Sequence, residues 1–273
     1  MASASSLPRG SVFGLPVVSA RMDALVGELV RRAETPAMPL LLAAADVHVI
    51  TRTVAEPDYR NHLTRFDWIC PDGMPLVWLL KRQHAGNVTQ PEPERLSGPD
   101  IMRALWDAGQ SHAHVRHFLL GGKPETLAAL QKVLADAYPG AKLAGAYSPP
   151  FGTWGNEEQY HICRLIADSN ATCVWVGLGA PKQERWLAGM KDALPSALYF
   201  AVGAAFDFHA GTVARAPHWM QKRGLEWLYR LCREPRRLFK RYFKYNSLFL
   251  YYLLTGRQKP DSSAASTSNT SDA

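Results

Sequence analysis

His117-Phe-Leu-Leu120 runs into Gly121-Gly122-Lys123-Pro124-Glu125 and then into TLAALQKVLADA, which ends at Ala137. A short apolar run, a glycine turn and an amphipathic stretch read as a buried strand, a tight turn and a helix. The same unit recurs downstream. Ala141–Tyr147 reads as a strand, followed by a Pro/Gly loop and a helix near Glu157–Asp168. Ala171–Val176 reads as the next strand; Gly177-Leu178-Gly179-Ala180-Pro181 follows it and a helix continues through Lys191. Leu198–Val202 is a last strand, ending at Gly203.

Upstream the rhythm continues. A helix is expected over Arg21–Arg32, a strand over Pro39–Ala45, a helix over Val54–Phe66 and a short strand over Asp67–Cys70. Pro71-Asp72-Gly73 makes a turn before a helix over Met74–Arg82. A polar loop spans Gln83 to Pro93, and Gly98-Pro99-Asp100 opens another helix. Strands that alternate with helices argue for an α/β fold: a Rossmann-like, mostly parallel sheet with helices on both faces. Ligands of such sheets sit beyond the carboxyl ends of the strands. Gly121, Gly122 and Gly203 stand at those ends and are substrate-binding candidates, against the plainer reading of strand-to-helix turns. Neither a Walker A loop nor a GxGxxG fingerprint is present, which weakens ATPase and dehydrogenase or epimerase readings.

The chain has 273 residues and a net charge of +7. Residues 215 to 260 hold twelve Lys/Arg and two acids, Glu226 and Glu234, so the remainder sums to −3. This basic segment reads as two helices, Trp219–Cys232 and Pro235–Leu254. Its arginines, including Arg230 and Arg237, interleave with aromatics, and an apolar stretch, Leu248–Leu254, follows. That pattern suits an anionic membrane surface better than nucleic acid, which is not expected as a partner; a solvated helix face is the plain alternative. The division expected is an N-terminal extension over 1–20, a core over 21–212, a basic helical appendage over 213–256 and a disordered, low-complexity tail over 257–273. No apolar run approaches the roughly eighteen residues that would span a bilayer. The N-terminus does not read as a signal peptide. The four cysteines stand apart, with no CxxC and no Cys/His cluster, the nine histidines read as structural or solvated, and no two aspartates are spaced as DxD. No metal or other cofactor is therefore expected.

Individual residues carry chemistry on this scaffold. Asp72, at a strand end, is placed to take a proton from an acceptor hydroxyl, against the reading of a plain Asp-Gly turn. Gln183 offers a neutral donor and acceptor beside Lys182, or simply caps a helix. Asp207, between Phe206 and Phe208, is placed to read a nucleobase or merely to make a turn.

Taken in order, PDGMP (71–75), ERLSGPD (94–100), FLLGG (118–122), VGLGAPKQERW (176–186), AVGAAFDFHAG (201–211), RAPHW (215–219) and GLEWLYRL followed by EPRRLFKRY resemble the WecG/TagA/CpsF family of bacterial glycosyltransferases. The resemblance covers about residues 38 to 254. It implies an inverting, metal-independent transferase at the cytoplasmic face of the cell membrane. Such an enzyme moves a sugar from a UDP-sugar donor to a polyprenyl-diphosphate-linked saccharide. By the same resemblance Asp72 is the base, Arg95 and Gln183 lie near the reaction centre, Asp207 is the acid of the uracil pocket, and Arg230 and Arg237 close over the donor diphosphate. The family's usual Thr-x-Asn is Ala44-Ala45-Asp46 here, so a methyl and a carboxylate replace two neutral hydrogen-bonding groups, a departure from the usual sugar specificity that favours a donor sugar other than the acetamido pair. Relatives use UDP-glucose, UDP-N-acetylmannosamine or its uronic acid. A homo-oligomer stays open.

Overall fold

The computed structural model describes residues 7–84 and 92–256. Eight strands form one sheet: β1 (Arg9–Val12), β2 (Leu15–Val18), β3 (Leu40–Ala45), β4 (Trp68–Pro71), β5 (Arg116–Gly121), β6 (Lys142–Tyr147), β7 (Cys173–Gly177) and β8 (Leu198–Ala201). Their spatial order is β1-β2-β4-β3-β8-β7-β5-β6. Every pairing is parallel except β1 with β2.

The central strands are apolar at nearly every position because both faces are covered. Alternation sorts their side chains cleanly. Leu41, Ala43, Ala45, Ile69, Val174, Val176, Tyr199 and Ala201 enter one core. Leu42, Trp68, Cys70, Cys173, Trp175, Leu198 and Phe200 enter the other. The first core is closed by helices α2 (Val47–Ala55), α3 (Pro57–Leu63), α4 (Met74–His84), α7 (Asn156–Asp168) and α8 (Lys182–Met190), through residues such as Ile50, Leu63, Leu76, Ile162 and Leu187. The second is closed by α1 (Met22–Glu34), α5 (Gly98–Gly109), α6 (Pro124–Ala137) and α9 (Ala205–His209), through Leu29, Leu105, Leu130 and Phe206.

Several expectations are corrected. Residues 9–18, placed in an extension outside the core, form a hairpin whose second strand extends the sheet beside β4. Its strands are only four residues each, too short to stand out in the sequence. The helix expected over Val54–Phe66 starts earlier, at Val47, because the Asp46 carboxylate accepts from Val49 N at 2.9 Å and caps it. It ends at Ala55, and α3 begins anew at Pro57. Phe206-Asp207-Phe208 lies in the short helix α9 rather than in a turn. The single helix expected over Trp219–Cys232 is two, α10 (His218–Lys222) and α11 (Glu226–Arg233), parted at Gly224 with φ +71°. Residues 85–91 of the expected polar loop and the expected tail over 257–273 lie outside the described residues.

The final helix, α12 (Pro235–Thr255), lies on α2 rather than standing free. Leu238, Tyr242, Tyr245 and Phe249 form its buried face at helical spacing. Phe249 meets Phe13 of the hairpin tip at 5.3 Å between ring centroids, and Tyr245 sits edge-on to His48 at 4.5 Å. The Tyr245 hydroxyl donates to Glu56 at 3.3 Å.

Candidate active site

Parallel register brings the ends of β3 and β4 side by side. Ala45 pairs with Pro71, and Asp72 N donates to Ala45 O at 2.9 Å. Asp46 and Asp72, the next residues of their strands, therefore emerge at one edge of the sheet. Both line a cavity of about 530 Å³ between that edge and the appendage. Its other walls include Arg95, Arg215, Glu226, Arg230 and Tyr242. That is the size of a pocket for a small molecule, at the position where open α/β sheets bind ligands.

Asp72 faces the cavity but is otherwise wrapped by protein. Burial pushes its carboxyl pKa up to about 7; the nearby Arg95 charge opposes this, while Glu226 and Asp46 reinforce it. Its Oδ2 accepts from Gly98 N, at the start of α5, at 3.3 Å. A carboxylate poised near neutrality at the floor of a cavity has the properties of a general base.

Around it lies a closed network of charge. Arg95 donates to Glu226 Oε2 at 2.5 Å and to Asp100 Oδ2 at 3.1 Å. Arg215 grips Asp100 with two hydrogen bonds, 2.7 and 2.9 Å, and its Nε lies 3.6 Å from Glu226 Oε1. Ser97 caps α5 and also donates to Asp100. The two guanidiniums hold the Asp100 carboxyl far below its usual range against the effect of burial. Two arginines and two carboxylates are thus held together, with Arg215 Nε making no hydrogen bond, and Glu226, from α11, ties the appendage to the core. Asp100, Arg215, Glu226 and Ser97 were not singled out from the sequence. The available signal was Glu226 itself, one of two acids kept within a strongly basic segment.

The appendage also approaches the Asp72 turn through backbone. At Gly224, φ is +71°, and a Cβ there would lie 2.9 Å from the Met74 Cβ. Only glycine permits both that conformation and that approach. Beyond it, the Arg230 guanidinium lies over the Phe208 ring at 5.3 Å, and its Nε has no hydrogen-bond partner. His48, read as structural or solvated, is buried and forms part of the cavity wall.

The structure brings Asp72, Arg95, Asp46 and Arg230 together. Arg237 belongs to α12, but its side chain lies outside the described residues. Gln183 does not line the cavity. It is buried behind the sheet edge, where its Oε1 accepts from Gly179 N at 3.1 Å and Gly203 N at 3.2 Å. Its Nε2 donates to buried Glu184 at 2.8 Å, and burial pushes the Glu184 carboxyl to about 7 against that hydrogen bond. Gln183 therefore joins the loops after β7 and β8. Gly121, Gly122, Gly203 and Asp207 lie farther along the same strand ends and outside the cavity wall. A Cβ on Gly121 would meet Gly177 O at 2.8 Å. The Gly122 amide already donates to Gly177 O at 3.1 Å, so chain packing accounts for both. Asp207 is half-buried, and Thr212 Oγ1 lies 3.5 Å from its carboxylate.

Over 227 residues the chain is 26% identical to N-acetylglucosaminyldiphosphoundecaprenol N-acetyl-beta-D-mannosaminyltransferase of Bacillus subtilis (strain 168). The match covers 83% of this chain and 84% of that one. The profile of the glycosyl transferase WecG/TagA/CpsF family matches residues 10–263, a span that takes in the hairpin, the sheet and the appendage. The protein is thus a glycosyltransferase and belongs to the WecG/TagA/CpsF family.

Proposed function

We propose that the enzyme moves a sugar from a UDP-sugar donor to a saccharide carried on polyprenyl diphosphate, with inversion and without a metal ion, in the synthesis of a bacterial surface polysaccharide. The observation that carries this reading is Asp72, a carboxylate poised near neutrality on the floor of the cavity. The name of the Bacillus subtilis relative supports the acceptor class, since that enzyme acts on a diphosphoundecaprenol-linked sugar.

Asp72 takes the proton of the acceptor hydroxyl as its oxygen attacks the anomeric carbon. The bond from that carbon to the donor diphosphate breaks on the opposite face, and the electron pair leaves with UDP. Arg230, with Arg237 of the same appendage, offsets the charge that develops on the diphosphate. Arg95 lies within the electrostatic reach of Asp72 and favours its ionised form. Gln183 acts from behind by fixing the Gly179 and Gly203 loops. Asp207 and the Gly203 turn, at strand ends beside the Gly121-Gly122 turn, take the uridine.

The acceptor lies at a membrane, and α12 is suited to reach it. Phe239, Phe243, Leu250 and Leu254 are exposed, and Leu254 is 86% exposed. On a helix these four fall within an arc of about 60° and along roughly 22 Å. Arg236, Lys240 and Lys244 follow one flank of that stripe. An apolar stripe edged by cations suits the inner, anionic leaflet of the cell membrane, with the body of the enzyme in the cytoplasm. No helix among the described residues is long and apolar enough to cross a membrane. The test is Asp72→Asn, expected to keep UDP binding while turnover on a lipid-diphosphate acceptor falls by about two orders of magnitude or more.

A further inference from the structure

We infer that Asp46 sets the class of donor sugar: it selects an uncharged hexosyl group and rejects one that carries a carboxylate. The inference rests on the UDP-sugar reading of the cavity and adds the chemistry of the sugar to it.

Among the described residues, the acids and arginines that line the cavity are Asp46, Asp72, Glu226, Arg95, Arg215 and Arg230. Arg95 and Arg215 are engaged by Asp100 and Glu226. Arg230 makes no ion pair among the described residues, and with Arg237 it is the cation assigned above to the donor diphosphate. A sugar next to that diphosphate then meets Asp46 and Asp72, and among the described residues no further lining cation is free to neutralise a carboxylate of its own.

Asp46 is fixed in place. Its Oδ1 caps α2 through Val49 N, while the side chain remains 41% exposed towards the cavity. Its charge reaches the base, since it contributes to the raised pKa of Asp72. The neighbouring His48 Nδ1 is 4.0 Å from Asp46 Oδ1, but burial lowers the His48 pKa, so this imidazole is a poor counter-ion. Arg241 acts on His48 from α12 yet does not line the cavity. The free Asp46 oxygen can accept hydrogen bonds from sugar hydroxyls, which an uncharged hexose supplies. A uronate in the same place sets two carboxylates together in a partly dehydrated site, with a cost that bulk water would largely screen.

Isothermal titration of UDP, UDP-glucose and UDP-glucuronate into the full chain tests this, because the ratio of two Kd values removes the shared UDP contribution. Asp46→Asn preserves the helix cap, and Asp46→Ser is a second capping variant should the first misfold. The wild-type protein is expected to bind UDP-glucose at least tenfold more tightly than UDP-glucuronate. Either variant is expected to bring that ratio within about threefold. Equal affinity of the wild-type protein for the two donors overturns the inference, as does a preference that survives both substitutions. Failure of UDP itself to bind overturns the donor reading and this inference with it, a result distinct from loss of selectivity alone.

Discussion

Arg95 of the core and Glu226 of α11 meet at 2.5 Å across 131 residues of sequence, and this contact joins the basic appendage to the sheet. Both side chains are largely buried, at 13% and 17% exposure. The same carboxylate faces Arg215, so a single acid serves two guanidiniums. Removing one member of such a set leaves its partners buried with less compensation.

Glu226→Ala is therefore expected to destabilise the protein by about 3 kcal/mol, the scale on which broken buried pairs register. Urea unfolding measures this as a lower midpoint. A double-mutant cycle with Arg95→Met should recover part of the loss, because the second substitution removes the guanidinium that the first left with Asp100 alone as its carboxylate partner. Fully additive effects would mean that the two residues are not coupled.

Gly224→Ala tests the appendage contact from the backbone. The residue has φ +71°, and a methyl would crowd the Met74 Cβ. The strain should cost about 1–3 kcal/mol, and the chain relieves it by shifting the appendage away from the Asp72 turn. Turnover should fall while the far-UV circular dichroism of the sheet domain is retained. Wild-type turnover in this variant would separate the contact from catalysis.

The pH dependence of stability has a definite sign. Asp72 is raised to about 7 in the folded chain. In the unfolded chain an aspartate titrates near 3.9. The folded state therefore holds the extra proton between those values, and stability contributed by this group falls as pH rises through that window. Glu184, also raised to about 7, acts in the same direction. Asp100, held low by its arginines, acts oppositely: its contribution is present above the unfolded value and is lost as pH falls through the folded one. Asp72→Asn removes one acid that is costly to ionise. Its Tm at pH 8 should match or exceed that of the wild-type protein, with the advantage gone near pH 4. A lower Tm at pH 8 would mean that the ionised carboxylate is a stabilising group.

Membrane attachment should separate from chemistry. Phe239→Ser combined with Phe243→Ser removes half of the exposed apolar stripe and leaves the buried face of α12 intact. Co-sedimentation with anionic vesicles should fall at least tenfold, whereas turnover on a short-chain soluble acceptor should stay within about twofold. Unchanged sedimentation would move the membrane contact elsewhere.

The parallel sheet was legible because β3, β5, β7 and β8 are apolar on both faces and end at residues that break the run. The hairpin was not, since LPVV and RGSV are too short and too mixed to stand out. Asp72 was legible from its strand-end turn, and Arg95 only through the resemblance. The network formed by Asp100, Arg215 and Glu226 joins residues more than a hundred positions apart, which no local pattern records. Gln183 stands out in the sequence for its chemistry, but local sequence does not record that its amide oxygen is turned inward onto Gly179 N and Gly203 N.

The most direct measurement is steady-state turnover of Asp72→Asn on a polyprenyl-diphosphate-linked acceptor across pH 5 to 9, with UDP affinity measured in parallel. The account predicts a kcat about two orders of magnitude or more below that of the wild-type protein, the loss of the wild-type acidic limb near pH 7, and UDP affinity within about threefold. A variant that turns over at close to the wild-type rate and keeps that limb would contradict it, and Asp72 would not be the base.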